Sequence, residues 1–372
     1  LELLGSGGVF TLTNTGNAIT TLAGNTGTVS FADNGGFAIG TVNTAGLTTS
    51  GNTTLNSAGT VTQSAAITAA GLELLGSGGT YTLTNTGNAI TTLAGNTGRV
   101  SLVENSGFDI GTVNTVGLTT SGNTTLSSTG AVTQSNLIAA AGLELLGTNG
   151  TYTLTNTSNA ITTLAGNTGT VSFLENSGFA IGTVNTVGLT ASASVTLNST
   201  GTVTQSNLIS TPSILLLGSG GAYTLTNTSN AITTLAGNTG TISFLENSGF
   251  AIGAVGSTNG VTATTLTLSS TGTVTQTQAL TVTNLELLGT GGIYTLTNTG
   301  NAITTLAGNT GTVSFVENSG FDIGTVNSVI YCNKTDIFLR EHHFRIETYL
   351  QIVSAKSGHI FDDHCSHSAG FN

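Results

Sequence analysis

One stretch of the sequence returns at a fixed interval, and this constrains the fold more than any other feature. GLELLGSGGTYTLTNTGNAITTLAGN begins at Gly71, and near-copies of it lie 71 residues apart along most of the chain. The first leucine of the stretch, or its replacement, falls at Leu1, Leu72, Leu143, Ile214 and Leu285. Such a fixed period is typical of stacked structural units rather than of separate globular domains. We predict repeats at 1–71, 72–142, 143–213, 214–284 and, in part, 285–327.

The residue types within a repeat favour short β-strands. In TYTLTN, Tyr81 and Leu83 fall on one face of a strand and Thr82 and Thr84 on the other, and this alternation is typical of a half-buried strand. Two further runs alternate in the same way, with Val171 and Phe173 in one and Phe179 and Ile181 in the other. The AITTLAG segment also fits a helix, but its β-branched residues and the Gly95-Asn96 stop favour a strand.

Turn residues divide one repeat into three units, 72–95, 96–117 and 118–142. Each unit holds two or three short apolar runs separated by Gly, Asn and Ser, which is the layout of one coil of a β-solenoid. We therefore predict an all-β parallel β-helix of about 14 coils, three to each repeat, and about 65 Å long. Its stability would come from contacts between neighbouring coils, so we expect terminal caps outside the repeats.

Composition excludes several classes of protein. Only 6% of residues are charged and 37% are hydrophobic, which fits neither a coiled coil nor a highly charged disordered chain. Residues 1–327 carry eleven acids and a single base, Arg99, so nucleic acid and anionic membranes are poor partners. The sequence has no apolar run long enough for a membrane-spanning helix. Because it begins inside a repeat and has no methionine, we expect it to be a fragment of a longer chain.

Two sets of acids recur and are the first candidates for chemistry. One set is Asp33, Glu104, Glu175, Glu246 and Glu317, and the other is Glu2, Glu73, Glu144 and Glu286, with Leu215 in the fourth repeat. With three coils per repeat, equivalent acids would lie about 14 Å apart, further than the roughly 5 to 10 Å between paired glycosidase carboxylates. We expect solvated charges at coil corners. Calcium bridging is the alternative, but the nonapeptide of calcium-binding β-rolls is absent. We assign no catalytic, cofactor-binding or metal-binding residue.

Other recurrent residues have structural explanations. Asparagine tolerates left-handed turns, so we expect the recurrent asparagines to form corners; they are Asn14, Asn85, Asn156, Asn227 and Asn298, and Asn17, Asn88, Asn159, Asn230 and Asn301. The recurrent phenylalanines are expected to fill the core rather than stack on sugars, and are Phe37, Phe108, Phe179, Phe250 and Phe321. Rows of outward threonines, such as Thr11 with Thr13, could present hydroxyls to carbohydrate or ice, although threonine is also a common surface residue of sheets.

The repeat pattern stops at residue 328, and 328–372 form a tail of different composition. The tail is either sequence foreign to the repeats, a C-terminal cap or a functional appendage. It holds both cysteines, Cys332 and Cys365, and every histidine. Its metal-capable residues match no standard zinc spacing, and they are His342, His343, Asp362, Asp363, His364, Cys365 and His367.

The repeats resemble the filamentous haemagglutinin-like exoproteins of bacteria, which are adhesins exported by two-partner secretion. The resemblance covers 1–327 and lies in the recurrent TLTN, TVSF and LTTSGN-TTL runs, the Gly-Asn turns and the scarcity of Cys and basic residues. It implies a right-handed parallel β-helix outside the cell and no catalytic residues. The family's N-terminal secretion domain has no match in this sequence.

Two functions from different classes follow. The first is a structural or adhesive stalk, secreted or on the bacterial surface, that contacts a host-cell or matrix surface or its carbohydrate and uses no cofactor. The second is a polysaccharide-acting enzyme, because β-helices also carry lyases and hydrolases. An enzyme needs a unique charged cleft, whereas this body repeats itself, so the stalk is preferred. A carbohydrate- or ice-binding solenoid is a third alternative. The sequence alone leaves the ligand and the oligomeric state open.

Overall fold

The computed structural model describes residues 1–317, 319–326, 336–339 and 350–351. It confirms the predicted fold class: the described chain is all-β, and its parallel strands stack coil upon coil into a β-solenoid of about 15 turns. At about 4.8 Å per turn the solenoid is about 70 Å long. No helix occurs among the described residues.

Strands at equivalent places in the repeats have similar bounds. The strands that open the repeats are Glu2–Leu12, Ile67–Leu83, Ile138–Leu146 with Thr151–Leu154, Ile209–Leu225 and Leu280–Leu296. The AITTLAG strands, which confirm the strand prediction for this segment, are Thr21–Ala32, Ala89–Val103, Ala160–Leu174, Ala231–Leu245 and Ala302–Phe315. The short strands that follow are Phe37–Ile39, Gly107–Ile110, Gly178–Ile181, Ala251–Ile252 and Asp322–Ile323.

The remaining strands complete each repeat. The LTTSGN-TTL region forms Leu47–Thr49, Asn52–Asn56, Leu118–Thr120, Asn123–Ser127, Leu189–Asn198 and Val261–Ser269. The TVTQ strands are Thr60–Gln63, Ala131–Gln134, Thr202–Gln205 and Thr273–Gln276. A small antiparallel pair in the fourth repeat is formed by Ala254–Val255 and Thr258–Asn259. In the tail, Asp336–Leu339 pairs in parallel with Thr312–Phe315 and antiparallel with Leu350–Gln351.

The core runs through the centre of the coils and is made of the inward set that the alternation predicts. Tyr81 and Leu83 are fully buried, whereas Thr82 and Thr84 between and after them are exposed. The recurrent phenylalanines lie in this core, as expected: the Phe31 and Phe37 rings meet edge to face at 5.0 Å. The same pair recurs as Phe173–Phe179, Phe244–Phe250 and Phe315–Phe321.

A turn of the solenoid is shorter than the sequence units suggest. The strand register places Leu3 beside Gly24, Gly24 beside Leu47 and Leu47 beside Ile67. Three turns therefore end at Ile67, before the chain reaches Leu74, the equivalent of Leu3 in the next repeat. The prediction of three coils per repeat is wrong in this detail, because the flaps and corners described below lie outside the strand ladder and lengthen some units.

Seven turns correspond closely to two repeats. From Phe37, successive register partners lead in seven steps to Ile181, which is two repeats beyond Ile39; the steps are Val61, Tyr81, Val100, Thr124, Leu143, Leu164 and Ile181. A second series leads from Phe108 in seven steps to Ile252, through Val132, Tyr152, Val171, Val195, Ile214 and Leu235. Equivalent residues of consecutive repeats therefore lie about half a turn apart around the axis.

One glycine in each repeat is required by close packing of the backbone. Gly218 has φ +119°, and a Cβ placed on it would lie 2.0 Å from the carbonyl oxygen of Ser199 in the turn below. Gly220 also has positive φ, +77°, but a Cβ there would meet no atom within 4 Å. Asn149 occupies the equivalent of Gly220 in the third repeat, with φ 63°. The first position therefore excludes any side chain, and the second tolerates asparagine.

We expect Gly218→Ala to lower the free energy of unfolding by more than about 2 kcal/mol, because the new methyl group forces two backbone segments apart. The matched control is Gly220→Asn, which copies the third repeat and should cost less than about 1 kcal/mol. Urea unfolding followed by circular dichroism compares the two variants. Equal stability of the two would contradict the packing role of Gly218.

Candidate functional site

The most elaborate feature on the surface is a loop that folds back over the outside of each repeat. We call these loops flaps: residues 41–45, 112–116, 183–187 and 254–259. In the first three, an isolated antiparallel bridge closes the loop, as between Thr112 and Val116, and Gly117 N–H donates to the Gly111 carbonyl oxygen at 2.8 Å. Each flap thereby leaves the strand ladder and returns to it at almost the same point.

A carboxylate holds the flap down. Glu144 Oε1 accepts hydrogen bonds from the backbone N–H groups of Asn185 (3.2 Å) and Thr186 (2.6 Å). Its Oε2 accepts from Asn185 Nδ2 (2.6 Å) and from Thr125 Oγ1 (2.8 Å). Glu73 makes the same set with Asn114, Thr115 and Thr54. Glu2 repeats the three flap contacts with Asn43 and Thr44.

The flap buries what it covers. Glu73 and Glu144 are each only 1% exposed, and Ala94 and Ala165 beside them in the next turn are fully buried. Burial raises the pKa of the Glu144 carboxyl, but the hydrogen bonds from Asn185, Thr186 and Thr125 together outweigh it, so the pKa lies below the ordinary 4.5. Glu73 has a lowered pKa for the same reasons. Both carboxylates are therefore ionised at neutral pH and have their lone pairs occupied.

The fourth repeat replaces this polar clamp by an apolar one. Leu215 stands where the glutamates stand, and it packs with Ala236 and with Val255 of the flap. The flap there is one residue longer: Gly237 pairs with Val261, whereas its equivalent Gly166 pairs with Leu189. The strand that follows is one residue shorter, so the 71-residue spacing is retained. The change of the glutamate and the change of the flap occur together.

The second set of acids lies in tight turns. Glu175 Oε1 accepts from Ser177 N–H (3.0 Å) and from the Ser177 hydroxyl, and Oε2 accepts from Gly178 N–H (2.6 Å). Glu104 and Glu317 repeat the pattern, while the shorter Asp33 accepts from Ile19 N–H and Gly35 N–H. These residues are buried: Asp33, Glu104, Glu175, Glu246 and Glu317.

The expectation of solvated corner charges is therefore wrong for most acids. Eight of the eleven acids in 1–327 are buried, and the donors of the turns and flaps explain why they can be. The predicted 14 Å spacing is wrong as well. Equivalent acids of consecutive repeats lie about half a turn apart, and those on one side are seven turns, about 34 Å, apart. The described residues contain no group of three or more His, Cys, Asp or Glu side chains that could hold a metal ion.

The recurrent asparagines form corners, as predicted. Asn156 Oδ1 accepts from Ser158 N–H at 2.9 Å and shapes the turn. Asn159 is buried, and its Nδ2 donates to the carbonyl oxygens of Leu154 (3.3 Å) and Leu174 (2.9 Å). Its Oδ1 accepts from Ile138 N–H at 2.9 Å. Because these partners belong to three successive turns, Asn159 ties the turns together.

Two further sets of residues in these networks escaped the sequence interpretation. Gln134 pairs its amide with that of Asn159 in both directions, and Gln63, Gln205 and Gln276 do the same with their asparagines. The buried Tyr152 hydroxyl accepts from Ser128 N–H (3.0 Å) and lies 2.6 Å from the Leu146 carbonyl oxygen. Burial raises the pKa of this phenol, so it stays protonated. The recurrence of TVTQ was the available signal for the glutamines.

Flaps of consecutive repeats lie on opposite sides of the solenoid. The first and third flaps follow Ile39 and Ile181, which the register places on one side, seven turns apart, and the second and fourth follow Ile110 and Ile252 on the other. Each side therefore carries flaps about 34 Å apart. The outward threonines that were considered as a binding row lie on the strands between them, and Thr11 and Thr13 are exposed as expected.

Several predicted residues lie outside this description. Cys332, Cys365 and the metal-capable residues of the tail fall beyond the described residues, so the cap and the metal alternatives stay predictions. Among the described residues, no helix has the length and apolarity to cross a membrane. Comparisons with protein-family models, with curated proteins and with solved structures gave no match.

Proposed function

We propose that this chain is a structural and adhesive stalk of a secreted or surface-exposed bacterial exoprotein. The observation that carries the proposal is the unbroken stack of about 15 similar turns, whose recurrent acids are occupied by turns and flaps. Such a stack supplies length and stiffness, and its stability comes from each turn binding the next. The resemblance to filamentous haemagglutinin-like exoproteins supports the same reading.

The way the acids are used argues against a hydrolase or lyase as the second candidate. A general acid or base must exchange a proton with the substrate, which needs an accessible carboxyl group. Glu73 and Glu144 have lowered pKa values and accept four hydrogen bonds each. Nearly identical surroundings also recur from repeat to repeat. A stalk uses this recurrence directly, because many weak identical contacts add to a strong one.

Adhesion of coated beads tests the proposal. Beads carrying the full chain should adhere to host-cell or extracellular-matrix surfaces, and a matched chain shortened by 142 residues should adhere more weakly, since it offers fewer contacts. A panel of polysaccharides incubated with the soluble chain provides the opposing readout. Turnover of any of them, abolished by changing one acid, would replace the stalk by an enzyme.

A further inference from the structure

We propose that the flaps are the contacts through which one solenoid packs side by side with a second copy of this chain. The first observation is the distribution of exposed apolar side chains among the described residues. Val116 is 57% exposed and Val187 is 55% exposed, and each lies at the end of a flap, on opposite sides of the solenoid. Three of the eight large exposed hydrophobic residues belong to flaps, the third being Val42.

The spacing of the flaps selects the partner. Flaps on one side recur every seven turns, about 34 Å, and this distance is set by the register of the chain itself. A second copy has the same spacing, so when one pair of flaps is in contact the next pair is in contact too. Repeated weak contacts of this kind strengthen one another, because each one after the first is formed at high effective concentration.

The exposed surface imposes little cost on this packing. Among the charged side chains of the described repeats, Arg99 and Asp322 are exposed and Glu2 and Asp109 are half-buried, while the other acids are buried. Two copies therefore bring few exposed charges together. Their net negative charge still repels, and salt screens this repulsion over about 8 Å at physiological ionic strength. Association is accordingly stronger at higher salt.

The two sides of the solenoid determine how far the packing extends. A single flap-bearing side would stop at a pair of molecules, whereas sides about half a turn apart let each molecule contact two neighbours. Contacts that do not close on themselves generate open assemblies. The wild-type chain therefore forms ribbons whose size grows with concentration.

Sedimentation velocity of the full chain, with reductant to keep Cys332 and Cys365 from cross-linking, tests the proposal. We expect the sedimentation coefficient to rise with concentration and with salt. Val116→Asp or Val187→Asp alone should limit association to pairs, because one side remains, and the double variant should sediment as a monomer. Ile293→Asp is the matched control: Ile293 is 45% exposed and lies on a strand outside the flaps.

Circular dichroism checks that every variant keeps its β-spectrum, and Val116→Thr with Val187→Thr gives a milder pair that preserves side-chain shape and should weaken association in part. A wild-type chain that stays monomeric up to millimolar concentration and high salt overturns the proposal. So does association that survives unchanged in the double aspartate variant or is lost equally in Ile293→Asp.

Discussion

Asn159→Ala should lower the free energy of unfolding by about 3 kcal/mol or more. The substitution leaves the Ile138 N–H and the Gln134 amide without their partner and removes donors from the carbonyls of Leu154 and Leu174. Each buried polar group left unpaired costs about 1–3 kcal/mol. Because Asn159 ties three turns together, unfolding in urea should split into two transitions, one for the repeats on each side of the substitution.

The neighbouring turn supplies the control for this variant. Asn156→Ala removes an acceptor for Ser158 N–H in a largely exposed turn, and water can replace it, so we expect a loss of about 0.5 kcal/mol and a single transition. Hydrogen exchange should show the contrast at one amide, since Ile138 N–H loses protection only in the Asn159 variant. Indistinguishable unfolding of the two variants would show that the buried corner contributes nothing beyond its turn.

Glu144→Gln should free the flap at 183–187 while the rest of the solenoid stays folded. The amide that replaces one carboxylate oxygen cannot accept from both Asn185 Nδ2 and Thr125 Oγ1, and the remaining bonds lose their charge. We expect a local cost of about 2 kcal/mol, which is about 30-fold faster hydrogen exchange at the backbone N–H groups of Asn185 and Thr186.

Acid should release the same flap in the unsubstituted chain. The pKa of Glu144 is lowered by folding from its ordinary 4.5, so its contribution is complete at pH values above 4.5 and is lost as the pH falls through the lower, folded value. The flap at 254–259 is an internal control, because Leu215 holds it without a titrating group. Once exchange is corrected for its intrinsic pH dependence, protection should fall with acid at Thr186 and persist at Val255. Parallel loss in both flaps would assign the effect to general acid unfolding.

Much of the fold is predictable from the sequence because strand alternation and turn residues are local signals. Tyr81 and Leu83 face inward as their period of two indicates, and Asn85 and Asn88 mark corners through their tolerance of turns. The number of residues in a turn is not a local signal. It depends on which residues leave the ladder, and a flap such as 112–116 looks like any other polar segment until its partner Glu73 is known.

The role of the acids was missed for a related reason. A glutamate in a polar sequence predicts a solvated charge, since burial of a carboxylate is costly unless several donors converge on it. The donors of Glu73 are 41 and 42 residues away in the sequence, in Asn114 and Thr115. Only comparison of the repeats carries the signal: where Leu215 replaces the glutamate, the loop TVNTV becomes AVGSTN. Such paired changes within one chain indicate contact.

The correspondence of seven turns to two repeats affects how such a gene can change in length. Unequal recombination between near-identical copies adds or removes whole repeats. Gain of a single 71-residue unit would turn everything beyond it by about half a revolution and exchange the two sides, whereas gain of a pair would restore the original orientation. Length changes by pairs of repeats preserve the direction in which the distal part of the protein points, and changes by odd numbers reverse it.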